Sequence, residues 1–217
     1  MRVLAILLLT ALPAAATADG WPAIYDVTGV ATDDVLNVRS APGAGSDIVG
    51  TLAHDAKGIE VIRPNDDLTW GLVNSGEGSG WVSLNFLERA VQYWDGQFPK
   101  IRQCFGTEPF WSLEVGQPEV RLNMPGAEPR DGLVSSMHSS RSRRDRFAFS
   151  GAFFPTENGS LDVQLSVRME SCNDGMSDRE YGIAVDMLLT SPEASMDQSA
   201  LGLYSGCCSI QPLSASR

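Results

Sequence analysis

The feature that most constrains this fold is a nine-residue stretch, 161–169, in which apolar and polar side chains strictly alternate. The apolar positions are Leu161, Val163, Leu165, Val167 and Met169. A period of two places these side chains on one face of a β-strand and the polar ones on the other face. A strand that is half-buried in this way is typical of an antiparallel sheet with one face toward water.

The same strand pattern recurs along the chain, and no long helix is credible. Further predicted strands are 25–30, 35–39, 48–52, 58–63, 70–74, 80–83, 110–115, 119–123, 147–152, 181–187 and 201–204. Clusters of Gly, Pro, Asn and Asp between them supply turns. We therefore expect an all-β chain with two small barrel or sandwich domains, 22–89 and 103–212. The intervening segment 90–102 carries Tyr93, Trp94 and Phe98, which predicts a packed connector.

The first residues have the composition of a secretory signal peptide, which we assign to 1–18. Arg2 supplies the charge, residues 3–12 are apolar, and Ala16-Thr17-Ala18 offers small residues for cleavage. The apolar run is too short for a membrane span, and no later segment is long and apolar enough, so we expect no transmembrane segment in the mature chain. An uncleaved anchor is the alternative. The pattern predicts an exported protein, in the periplasm.

The net charge of −11 is unfavourable for general binding to nucleic acid or to anionic membranes, because like charges repel. The one basic run is 141–146, with four arginines around Asp145. A solvated loop between strands is the favoured interpretation of this run, with a docking site for an anionic polymer as the alternative. We expect no nucleic-acid partner.

All four cysteines, Cys104, Cys172, Cys207 and Cys208, lie in the second half of the chain. In an oxidising compartment an even number predicts disulfides. Successive antiparallel strands bring Cys172 to the end of the sheet where the vicinal pair emerges, and adjacent cysteines rarely bond to each other. We expect Cys172 to pair with one of the vicinal cysteines and Cys104 with the other, in either arrangement. Zinc-ligand spacing and a redox CxxC motif are absent, so we expect no metal and no cofactor.

The first half carries LNVRSAPG at 36–43, IVGTL at 48–52, GIEVI at 58–62, TWGLV at 69–73 and SGWVSLNFL at 79–87. In order and spacing these segments resemble the bacterial SH3-type domain family of cell-envelope proteins. The resemblance implies a small β-barrel that engages peptidoglycan or a peptide, with Asn37 and Arg39 as ligand-binding candidates. Their structural alternative is that the asparagine caps a turn and the arginine pairs across the barrel. Trp70 is a further candidate, because exposed aromatic rings stack on sugars, although packing in the core is the favoured interpretation of this residue too. Trp81 is expected in the core.

In the second half, GTEPFWSLEV at 106–115, CNDGMSDREYG at 172–182 and GCC at 206–208 resemble segments of a group of uncharacterised exported bacterial proteins. The resemblance implies an exported β-domain with a disulfide and no established activity. The positions that carry over are Glu108, Trp111, Asp174, Met176, Asp178 and Arg179. We expect them to form a loop surface for a partner.

Together these features predict a binding protein of the cell envelope rather than an enzyme, whose partner is a cell-wall polymer or an envelope protein. Two alternatives remain open. The second domain is an inhibitor that plugs a lysozyme-type wall-degrading enzyme, or it is a glycan or peptide hydrolase that uses Glu108, Asp174 or Asp178. The two histidines, His54 and His138, form no persuasive Ser-His-Asp or Cys-His set, and His138 lies in a Ser-rich loop without an evident orienting partner.

Overall fold

The computed structural model describes residues 20–90, 96–157, 159–192 and 201–211. Within these ranges the regular structure is β-strand, apart from one 3₁₀ turn at Leu84–Phe86. The expected all-β class is therefore confirmed. The signal peptide assigned to 1–18 lies outside the described residues, as do Tyr93 and Trp94 of the connector. No helix in the described ranges has the length and apolar character needed to cross a membrane.

The first half of the chain forms two small sheets around one core. Its strands are β1 Ala23–Val27, β2 Val35–Arg39, β3 Ile48–Ala53, β4 Ile59–Val61, β5 Arg63–Pro64, β6 Trp70–Ser75, β7 Gly78–Ser83 and β8 Leu87–Arg89. One sheet has the order β4-β1-β8 and the other has the order β3-β2-β7-β6-β5. The single strand predicted over 58–63 is divided into β4 and β5. Ile62, between them, donates its backbone N–H to the Leu72 carbonyl, so the chain passes from one sheet to the other there.

Strand alternation decides which side chains fill the core between these sheets. Val38, Val61, Val73 and Val82 are fully buried in it. Because Val82 points inward, its neighbour Trp81 must point outward. The expectation of a core Trp81 is therefore wrong: its ring is half-buried on the outer face, with the Arg63 guanidinium carbon 5.0 Å from the ring centroid.

The second half forms a closed antiparallel barrel of eight strands. They are β9 Gln103–Thr107, β10 Phe110–Val115, β11 Glu119–Asn123, β12 Arg130–Ser139, β13 Arg146–Thr156, β14 Gly159–Arg168, β15 Ile183–Thr190 and β16 Gly202–Ser209. Each strand pairs with the next in the chain, and β16 closes the barrel against β9. The basic run lies mostly between β12 and β13, where Arg143 pairs with Asp145 at 2.7 Å, so it is a loop between strands as expected.

The strictly alternating segment 161–169 forms most of β14. Leu161, Val163, Leu165 and Val167 are all buried inside the barrel, and Leu165 lies opposite Met187 of β15. Met169 follows the end of β14 and only packs against the rim of the core. The connector joins the same core through Phe98, whose ring meets Phe147 edge-on at 5.5 Å.

Two disulfides brace the barrel, which confirms the expected pairing and decides the arrangement left open. Cys104 of β9 bonds to Cys208 of β16, its direct partner across the closing strand pair. Cys172 bonds to Cys207. The second bond joins the chain after β14 to the outer face of β16.

Candidate functional site

The three ligand-binding candidates of the first half line one groove of about 510 Å³. We call it the N-terminal groove. The side chains that line it come from β2, the loops on either side of β2, the start of β6 and the 3₁₀ turn. They include Asp34, Val35, Asn37, Arg39, Ala44, Trp70 and Phe86. The structure thus brings Trp70 of β6 together with Asn37 and Arg39 of β2, which lie far from it in the sequence.

The period of β2 explains why its polar residues reach the groove. Leu36 and Val38 are buried in the core, so Asn37 and Arg39 project from the opposite face. Trp70 begins β6 and lies opposite Ser83 of β7, which places its half-buried ring beside the 3₁₀ turn. The groove is therefore lined both by side chains of the strands β2 and β6 and by residues of loops.

The two polar candidates differ in how much of their hydrogen-bonding capacity the protein uses. Arg39 donates from its guanidinium to the Ser46 carbonyl at 2.7 Å, which holds the loop after β2 in place. The Asn37 amide makes no side-chain hydrogen bond to any residue that the structure describes, so the alternative of a turn cap is not seen. Asn37 therefore keeps both a donor and an acceptor for a ligand.

Sequence reasoning missed the apolar walls of the groove. Val35 is 43% exposed and Phe86 is 40% exposed, which is high for side chains of this type. Val35 carried a signal, because it is an apolar residue at a position where the β2 alternation calls for a polar one. Phe86 carried none, because its place beside Trp70 depends on how the 3₁₀ turn packs.

The proposed partner loop of the second half, residues 171–180, is organised around Asp174. Its carboxylate accepts hydrogen bonds from the Met176 and Ser177 amides at 3.0 and 2.9 Å and from the Ser177 hydroxyl at 2.8 Å. Burial raises the pKa of Asp174, but these hydrogen bonds and nearby Arg179 outweigh it and hold that pKa below its ordinary value. Asp174 therefore acts as a structural anion inside the loop.

One side of the 171–180 loop is attached to the first half of the chain. Arg179 donates to the Gly76 carbonyl at 2.7 Å, and the Asp178 amide donates to the Glu77 carbonyl at 3.0 Å. The Asn74 side chain both donates to and accepts from the backbone of Glu180. Arg179 is thus used inside the protein, where it fastens the loop to the β6–β7 turn.

The two remaining partner candidates, Glu108 and Trp111, have different positions. Glu108 is exposed in the β9–β10 turn, which meets the loop because the Thr107 hydroxyl donates to the Asp174 carbonyl at 2.8 Å. Trp111 is only 4% exposed and packs inside the barrel, so its assignment to a partner surface is corrected. Its ring lies over Gly106 and Gly206, whose missing side chains leave room for it.

The loop offers little for acid–base chemistry. A general acid on a glycan needs a raised pKa, whereas that of Asp174 is lowered and its oxygens are used within the loop. Met176, which is 65% exposed, and Asp178 face solvent and form part of a cleft of about 520 Å³ with Glu77. Among residues 20–90, 96–157, 159–192 and 201–211, no three His, Cys, Asp or Glu side chains are grouped to hold a metal ion.

The chain was compared with protein-family models, with curated proteins and with solved structures. No family model, no curated protein and no solved structure matches this chain.

Proposed function

We propose that the protein is an exported, periplasmic binding protein of the cell envelope, and that the N-terminal groove holds peptidoglycan. The observation that carries this proposal is the convergence of Asn37, Arg39 and Trp70 on one groove. The two disulfides support export, because such bonds persist in oxidising compartments. The two small sheets around one core are compatible with the SH3-type organisation that the sequence resembles.

The chemistry of the groove fits a polymer of sugars and short peptides. The rings of Trp70 and Phe86 offer flat apolar surfaces on which a sugar face or an aliphatic side chain packs. The Asn37 amide and the Arg39 guanidinium stand beside them as partners for hydroxyl, amide or carboxylate groups. A mostly apolar concavity with a few polar groups is the usual form of a ligand site.

Sedimentation of the mature protein with purified, insoluble peptidoglycan tests this proposal. We expect saturable binding, and we expect Trp70→Ala to weaken it about tenfold, since the loss of one aromatic contact is worth about 1.4 kcal/mol. Phe154→Ala is the matched control, because Phe154 is an exposed aromatic residue on the barrel, outside the groove.

The same assay identifies the part of the polymer that is bound when it is repeated with peptidoglycan whose stem peptides have been removed by an amidase. Retained binding assigns the groove to the glycan, and lost binding assigns it to the peptide. A mature protein that stays in solution at low salt, or a Trp70→Ala variant that binds as tightly as the wild type, would contradict the proposal.

A further inference from the structure

A buried carboxylate lies where the two halves of the chain meet. Glu60, on β4, is 6% exposed and is the one buried charged side chain among the described residues. It lies opposite Ile24 of β1, on the sheet face that is turned toward the barrel. Ile24 packs against the barrel core, so this face is the contact between the halves.

Glu60 binds the segment that ends β16. Its carboxylate oxygens accept a hydrogen bond from the Ser209 hydroxyl and hydrogen bonds from the amides of Ile210 and Gln211, both at 3.3 Å. These three residues directly follow Cys208, whose disulfide closes the barrel. One side chain of the first half therefore holds the last described turn of the second half.

No cation compensates the charge of Glu60 among the residues described. Tyr181 is the titratable side chain of the barrel that interacts with it, and the pKa of the tyrosine is raised by burial and, in smaller part, by Glu60. On the same sheet, Asp26 is paired with Lys57 at 3.3 Å, and Glu88 is exposed. The backbone N–H of Arg102 donates a hydrogen bond to the Ser209 carbonyl at 2.9 Å, while the Arg102 side chain is exposed.

Burial is the dominant influence on Glu60 and raises its pKa above the ordinary value of 4.5. The hydrogen bonds from Ser209, Ile210 and Gln211 lower the pKa, but by less than burial raises it. A protonated carboxyl can keep this contact, because its hydroxyl can donate to the Ser209 hydroxyl oxygen while the other oxygen accepts an amide hydrogen bond.

We propose that Glu60 is a pH-sensitive latch between the two halves: its protonated form holds residues 209–211, and its ionisation loosens them. The folded protein binds this proton more tightly than the unfolded chain does. The contact is therefore strongest below the ordinary glutamate pKa and weakens as the pH rises through the raised value.

Amide chemical shifts of Ile210 and Gln211, followed by NMR from about pH 4 to about pH 8 in the intact mature protein, test the latch. We expect both amides to titrate together with a midpoint above 4.5. Glu60→Gln keeps the shape of the side chain but removes the group that titrates, so it should abolish this titration. Glu88→Gln is the matched control on the same sheet and should leave it unchanged.

The unfolding midpoint gives a second, independent readout. As the pH rises over the same range, the midpoint of the wild type should fall relative to that of Glu60→Gln. Amides that do not titrate, a titration that persists in Glu60→Gln, or midpoints of the two proteins that run parallel would each overturn the proposal. The first readout, the titration of the two amides, is measured in the wild type. It therefore tests the proposal even if the Glu60→Gln variant folds poorly.

Discussion

At the scale of single residues, the vicinal cysteines show how the strand period directs chemistry. Neighbouring side chains on β16 point to opposite faces, so Cys208 enters the barrel core and Cys207 faces outward. The inner sulfur can reach only the inward-facing Cys104, and the outer sulfur can reach only the chain outside the barrel, at Cys172. The sequence left open which vicinal cysteine bonds to which partner. The answer depends on which of the two points into the barrel from β16.

The close approach of Trp111 to β9 leads to a prediction about Gly106. A Cβ atom at Gly106 would lie 2.3 Å from the Trp111 ring nitrogen and 2.6 Å from the Ser205 carbonyl oxygen. We expect Gly106→Ala to lower the free energy of unfolding by about 1–3 kcal/mol, as overpacking does. Denaturant unfolding measures this change.

Gly45→Ala is the matched control, because a Cβ atom there meets nothing within 4 Å. It should leave the free energy of unfolding unchanged, or raise it by about 0.4–1 kcal/mol because alanine reduces the conformational entropy of the unfolded chain. Equal losses at the two glycines would contradict the packing assigned to Trp111.

The lowered pKa of Asp174 predicts how the 171–180 loop responds to acid. Because the folded-state pKa lies below the ordinary 3.8, the stabilisation is present above 3.8 and is lost as the pH falls through the lower value. We expect Asp174→Asn to reduce the hydrogen-exchange protection of the Ser177 amide about tenfold at neutral pH, the effect of about 1.4 kcal/mol.

Asp178→Asn, on an exposed side chain of the same loop, should leave that protection unchanged. If the two variants behaved alike, Asp174 would not be the organising residue of the loop.

At the scale of strands and their links, the two disulfides should differ in their contribution to stability. Cys104 and Cys208 are separated by 104 residues, whereas Cys172 and Cys207 are separated by 35. In the chain-entropy account the longer loop stabilises the fold by about 1 kcal/mol more. We expect Cys104→Ala/Cys208→Ala to lower the free energy of unfolding more than Cys172→Ala/Cys207→Ala does, as measured by denaturant titration.

The opposite order, or equal losses in the two double variants, would contradict the expectation that the length of the closed loop decides which disulfide stabilises the fold more.

The strands that could be predicted are those whose side chains obey the period of two without interruption. β2, β10 and β11 have the predicted bounds, and β14 differs by two residues at its start and one at its end. β12 was missed because three of its ten residues are serine and its register shifts between Val134 and Ser136, which breaks the alternation. β9 was missed because Gly106 occupies an inward position where the pattern calls for an apolar side chain.

At the scale of the whole molecule, the limits of prediction follow from contacts between distant segments. The polar residues of the N-terminal groove could be predicted, because their own strand turns them outward. Phe86 could not, because only the packing of the 3₁₀ turn brings it there. Arg179 was expected to face a partner, and the partner it has is the β6–β7 turn of the same chain. The two halves are joined at that turn, at Ile24 and at Glu60.

Binding of peptidoglycan by the N-terminal groove is tested most sharply by chemical-shift mapping with soluble muropeptides. Titration of the labelled mature protein should perturb the Trp70 indole, the Asn37 side-chain amide and their neighbours in a saturable way. The resonances of the barrel should stay in place. Perturbations that are absent, or that fall on the barrel while the Trp70 and Asn37 resonances remain unmoved, would show that the groove does not bind peptidoglycan.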